Sequence, residues 1–150
     1  MSANHDIAKL DDLIVTTIDS VRGYETSAKH VEAGRFATMF AEMADERRAV
    51  VEALQAHSRA LGGSPSDFGS AAATLHRAFE GLRHALGGGD EAIVKEVERG
   101  EDYLKEEYDR VLGDERTSPE TLRVVRDCYQ SVLLGHDRAS RLKHEMEAAA

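Results

Sequence analysis

Glu25, Glu46, Glu98, Glu101 and His136 each fall on or beside the apolar seam of a helical pattern. The clearest case is Val97-Glu98-Arg99-Gly100-Glu101-Asp102-Tyr103. The surrounding seam runs Ile93/Val94, Val97, Leu104, Tyr108, Val111, and its three- and four-residue steps put the position after Val97 at Glu101, with Glu98 beside it. A carboxylate on a core face is costly unless a proton, a cation or hydrogen-bond donors meet it. Carboxylates and an imidazole drawn from several helices are the ligand types with which a bundle holds a pair of iron or manganese ions. The metal-ligand candidates are therefore Glu25, Glu98, Glu101 and His136, with Glu46 as a further one. Iron or another divalent metal is the candidate cofactor. No catalytic residue is assigned.

Helix heights allow part of this set to meet. Glu25 and Glu46 flank the Gly34 turn at depths that differ by only about 4 Å, and Glu98 matches His136 to about 4 to 5 Å, better than Glu101 does at roughly 9 Å. The ligand spacing is incomplete. A carboxylate-bridged site uses Glu-x-x-His on two helices, but Ala49 stands three residues after Glu46 and Leu133 three before His136. The competing reading is a structural polar core, in which these groups pair with one another or with an Arg47-type cation. Interior glycines accompany the polar positions in Gly23-Tyr24-Glu25, Gly100-Glu101-Asp102 and Gly135-His136-Asp137. They signal either access to a site or close helix packing. Gly100 forfeits about 1 kcal/mol against Ala in a helix interior. Tyr24, Tyr103, Tyr108 and Tyr129 are candidate donors to buried carboxylates. His57 reads as a satisfied core histidine and Cys128 as structural. No Ser/His/Asp arrangement, phosphate-binding glycine loop or CxxC is found.

Five helical segments must position these groups. The first runs from about Asp6 to Val31, with Asn4 or Asp6 as N-cap, and the second from about Arg35 to Leu61, ended by Gly62-Gly63. A shorter third covers about Ser70 to Leu86, and a fourth runs from Asp90 to Leu112. The fifth runs from Pro119 to about Glu145, starting at Ser118-Pro119-Glu120, with Ala148–Ala150 expected to fray. The fifth seam is Leu122, Val125, Tyr129, Val132/Leu133, His136, Ala139/Ser140, Leu142. The third segment, roughly 25 Å long, has the length of a crossover. The expected fold is all-α: helices one, two, four and five around one core, helix three packed outside.

Residues 1–150 are read as a single domain, long enough to build a core without disulfides or a structural metal. The lone Cys128 excludes an internal disulfide framework and fits a reducing compartment. With Lys+Arg 19 against Asp+Glu 28, the net charge of −9 argues against nucleic acid and anionic membranes as partners. No leader pattern or membrane-spanning run is found, so the expected location is the cytoplasm. A homo-oligomer or a protein partner remains open.

Several pieces together resemble an uncharacterised bacterial family of ferritin-like four-helix-bundle proteins, known only as a domain of unknown function. They are Leu10-x-x-Leu13-Ile14 with Gly23-Tyr24-Glu25, Leu61-Gly62-Gly63-x-Pro65, Gly69-Ser70, Leu75-His76-Arg77-Ala78-Phe79, Glu98-Arg99-Gly100-Glu101-Asp102 and His136-Asp137. The resemblance implies a ferritin-like four-helix bundle and supplies no activity. Two functions are expected from the whole. The first is a bundle of unknown activity that binds a metal ion through interior carboxylates and a histidine, in metal or oxidative-stress handling. The alternative is a non-catalytic bundle with a metal-free polar core, acting as a protein-interaction or stress-related structural module. The missing Glu-x-x-His pairs shift weight to the alternative.

Overall fold

The computed structural model describes residues 2–68 and 81–149. Among these residues there are five helices and no strand: α1 Ala3–His30, α2 Gly34–Ala60, α3 Leu82–Ala85, α4 Gly89–Leu112 and α5 Pro119–Ala149. Most of the expected third segment, residues 69–80, lies outside the described residues, and only its end is seen as the single turn α3. The expected fraying of Ala148-Ala149 is corrected, since α5 continues through Ala149.

The helix ends follow local chemistry, with one substitution of roles. Ser2, rather than Asn4 or Asp6, caps α1, its hydroxyl accepting from the His5 N–H at 3.4 Å. Asp6 is thereby released for a distant task. Its carboxylate accepts from the Ser118 N–H at 3.1 Å, from the Ser118 hydroxyl at 2.5 Å and from the Thr121 hydroxyl at 2.8 Å, so α1 braces Ser118, whose hydroxyl caps α5 by accepting from the Thr121 N–H at 3.4 Å. Beyond the end of α2, Gly62 adopts φ +94°, the left-handed conformation that an L side chain resists.

The four long helices pack around a common interior. α1 lies against α2 and α4, and α5 lies against α2 and α4. The buried residues divide into two apolar clusters. One takes Leu10–Val21 of α1, Val50–Leu54 of α2, Leu104–Val111 of α4 and Val125–Val132 of α5. The other takes Tyr24 and Val31, Phe36–Ala44, Ile93–Val97, and Ala139–Leu142. Membership fixes direction. The first cluster joins the N-terminal halves of α1 and α5 to the C-terminal halves of α2 and α4. Hence α1 and α5 run one way and α2 and α4 the other. Because α2 and α4 are parallel, Ala60 and Gly89 stand at opposite ends of the molecule. Asp90 fixes the far end, where its carboxylate accepts from the Glu32 and Ala33 N–H groups at 2.7 and 3.0 Å.

On α5 the buried residues are Thr121, Val125, Cys128, Val132, Gly135, Ala139 and Leu142. The alternating four- and three-residue steps are those of a helix packed along one narrow seam. Leu122, Tyr129 and His136 are each one position further round and only half-buried. The expected seam holds at Val125, Val132, Ala139 and Leu142 and is corrected at the other three, where Thr121, Cys128 and Gly135, one residue back or roughly 100° about the axis, are the buried ones.

Candidate functional site: a buried arginine–carboxylate–tyrosine layer

Between the two apolar clusters lies one polar layer. Ser20 on α1, Arg47 on α2, Glu101 on α4 and Gly135 on α5 fall between the clusters, and Tyr24 of α1, whose ring belongs to the second cluster, turns its hydroxyl to them. Tyr24 and Glu101 are 0% exposed and Arg47 1%. Arg47 Nη2 donates to Glu101 Oε2 at 2.7 Å, and Nη1 donates to the Ser20 hydroxyl at 2.7 Å. The Tyr24 hydroxyl donates to the other carboxylate oxygen, Glu101 Oε1. The Arg47 guanidinium also stands 5.6 Å from the centre of the Tyr24 ring, within reach of a cation–π attraction. Both oxygens of the buried carboxylate are therefore engaged by donors of the chain itself.

Gly135 makes the room. A Cβ on this residue would collide with Arg47 Nη2 and lie 3.3 Å from its Cζ and 3.4 Å from Glu101 Oε2. The guanidinium is held by Glu101 and Ser20 and cannot swing away without breaking the layer. Gly23 and Gly100, which precede Tyr24 and Glu101, are buried as well.

The electrostatics follow the burial. Desolvation opposes the Arg47 charge, but the Glu101 carboxylate overrides it and holds the guanidinium protonated above its ordinary range. Burial, then the negative charge of Glu101, push the Tyr24 phenol well above its usual value, so it serves as a donor. About two turns along α4 from Glu101, Tyr108 is also raised by burial and shares a 2.8 Å hydrogen bond with the Thr17 hydroxyl. Burial pushes the Cys128 thiol up to about 11, which keeps it a protonated apolar side chain.

The other metal-ligand candidates are placed apart from this layer, each with its own partner. Glu25 meets Arg48 at 2.5 Å and its side chain is 43% exposed. Both oxygens of Glu46 accept from Arg138 Nη1 at 3.1 Å. Glu98 lies 3.5 Å from Lys143. His136 Nε2 is 2.6 Å from Asp102 and Nδ1 3.5 Å from Asp137. Of Glu98, Glu101 and His136, the expected interior trio, only Glu101 is buried. As placed, Glu25, Glu46, Glu98, Glu101 and His136 do not converge as a ligand set for iron or another divalent ion. Among the described residues, no group of three or more His, Cys, Asp or Glu is arranged to hold a metal ion.

A second polar group closes the end of the molecule where α1 begins. His57 Nε2 is 2.8 Å from the Thr121 hydroxyl, which itself donates to Asp6, so the imidazole is the donor in that pair. The satisfied core histidine expected at position 57 is satisfied but only half-buried. His5 reaches Asp114 at 2.8 Å. The roles of Asp6, Ser20 and Thr121 carry no local sequence signal.

A family model described as "Domain of unknown function (DUF2383)" matches residues 5–114. The match covers more than half of the sequence, and the chain belongs to that family. Tyr24, Arg47 and Glu101 lie inside the matched span and Gly135 beyond it. No curated protein matches the chain. Among the described residues no helix is long and apolar enough to cross a membrane.

Proposed function

We propose that this DUF2383 member is a ferritin-like four-helix bundle with a metal-free polar core, working as a non-catalytic protein-interaction or stress-related structural module. The observation that carries the reading is the occupancy of Glu101. Its two oxygens, fully buried, take their donors from Arg47 and Tyr24. A guanidinium fills the position beside the carboxylate that a bridging metal would need. The parallel run of α2 and α4, with one long connection between them, is the arrangement of bundles with a single crossover and supports the ferritin-like part. A buried ion pair of this kind fixes helix register better than it adds stability, which suits a scaffold.

The test is elemental analysis of protein purified without chelator or affinity tag, together with melting curves in ferrous iron, manganese and a chelator. The expected result is far less than one metal per chain and a melting temperature indifferent to all three. About one or more ions per chain, lowered by Glu101→Ala, would replace this reading with the metal-handling one.

A further inference from the structure

A groove between the start of α2 and the last third of α5 carries a chemistry that the polar layer does not use. It encloses about 240 Å³. Phe36, Met39 and Leu142 supply its apolar lining, and Arg35, Arg138 and Arg141 supply three guanidinium groups against the single carboxylate of Glu145. Such a cluster of cations runs against the chain's net charge of −9.

The three arginines are not equally committed. Arg138 is tied down by Glu46, both of whose oxygens lie 3.1 Å from its Nη1. The Arg35 guanidinium lies 4.4 Å from the centre of the Phe36 ring, within reach of a cation–π attraction, and the residue is exposed. Arg141 makes no ion pair among the described residues. Two planar forks are thus left for a ligand carboxylate, the geometry that arginine matches in two parallel hydrogen bonds.

Size decides what kind of ligand. At about 30 Å³ per water the groove has the volume of roughly eight waters, enough for a molecule of about ten non-hydrogen atoms. Along α2 the lining runs only from Arg35 to Met39, roughly 6 Å of helix, and along α5 from Arg138 to Glu145, roughly 10 Å. With packed helices about 9 Å apart, that is a patch on the order of 100 Å², far short of the roughly 800 Å² per partner of a stable protein interface.

We propose that this groove binds a small monocarboxylate with a short apolar body, its carboxylate held by Arg35 and Arg141 and its body laid on Phe36, Met39 and Leu142. The full chain, labelled with 15N, is titrated with sodium octanoate and, in separate arms, with sodium benzoate, octylamine and sodium acetate, and amide shifts are followed. Expected are saturable shifts confined to residues 34–40 and 137–146 with octanoate or benzoate, the stronger of the two identifying a chain or a ring as the body. Arg35→Ala and Arg141→Ala, both at exposed positions, should each weaken binding by about tenfold, the value of one charge-assisted pair. Equal shifts with octylamine or with acetate, non-saturating shifts, shifts centred elsewhere, or unchanged affinity in both variants would overturn the proposal.

Discussion

Arg47 and Glu101, 54 positions apart in the chain, meet at 2.7 Å with side chains 2% and 0% exposed. The pair sits where the two apolar clusters meet, and its burial keeps bulk solvent from screening its charges. Whatever holds the helices in register must satisfy this pair, and each neighbouring side chain is constrained by it.

Gly135→Ala should destabilise the chain although alanine is the better helix former. The helix propensity gain is about 1 kcal/mol. Against it stands a Cβ that collides with a guanidinium pinned on two sides, an overpacking cost of about 1 to 3 kcal/mol, to which any loosening of the ion pair adds. Urea unfolding is expected to show a net loss of about 1 to 2 kcal/mol with an unchanged m-value. A midpoint that rises would mean that Arg47 is free to move.

Single and double replacement should behave oppositely in the layer. Arg47→Leu leaves the Glu101 carboxylate buried without its cation and is expected to cost about 3 to 5 kcal/mol. Glu101→Leu strands the guanidinium and should cost a similar amount. Placed together, the two leave no buried charge, so most of the loss should return. The remaining deficit comes from the Tyr24 and Ser20 hydroxyls, which both lose their partner, at about 1 to 3 kcal/mol each, and the Tyr24 share should vanish on adding Tyr24→Phe. A double variant as unstable as the sum of the singles would refute the pair as the organising contact.

Tyr24→Phe alone, in an otherwise unchanged chain, should cost about 1.5 to 3 kcal/mol, the range for a hydrogen bond to a charged group. The ring stays, so its 5.8 Å contact with Phe40 and the cation–π attraction to Arg47 are kept. Thermal unfolding of the variant measures the hydroxyl by itself. A loss near zero would place the Tyr24 proton elsewhere than on Glu101.

How far the sequence shows this layer depends on the helix. On α4, the three- and four-residue steps through Val97 and Leu104 are enough to put Glu101 inside, and the structure agrees. On α2, Glu46 and Arg47 share one turn of the seam, and the spacing does not decide between them. The structure buries Arg47 and turns Glu46 out to Arg138. On α5 the reading holds at Val125, Val132, Ala139 and Leu142 but slips by one residue at His136, for a physical reason. The innermost position is Gly135, which has no side chain to signal burial, and its neighbour His136 attracts the eye. Asp6 is harder still. Its partners are 112 and 115 residues away, and a carboxylate near the start of a helix looks like that helix's own cap.

The same Asp6 gives the last prediction, an acid-sensitive joint at one end. Burial alone would raise its carboxyl. Hydrogen bonds from the Ser118 hydroxyl and N–H and from the Thr121 hydroxyl, with the nearby His5, more than offset this and hold it below its ordinary value. Asp114 in the same region is lowered to about 2, chiefly by the Arg116 N–H, with His5 also contributing. Both are depressed in the folded state, so in the window below about pH 4, the ordinary value for Asp, the unfolded chain binds more protons than the folded one. Their contribution to stability is present above that value and is lost as pH falls through the folded values. Acid should therefore loosen this end first, because protonated Asp6 can no longer accept from three donors at the start of α5. Hydrogen exchange near pH 3 should show the amides at the start of α5 losing protection before those around Glu101. Asp6→Asn should remove part of that pH dependence and cost about 1 to 2 kcal/mol at neutral pH, the value of a helix cap. If the start of α5 and the Glu101 layer lose protection together, or if Asp6→Asn leaves the acid limb of the stability curve unchanged, the Asp6 contacts are not the joint.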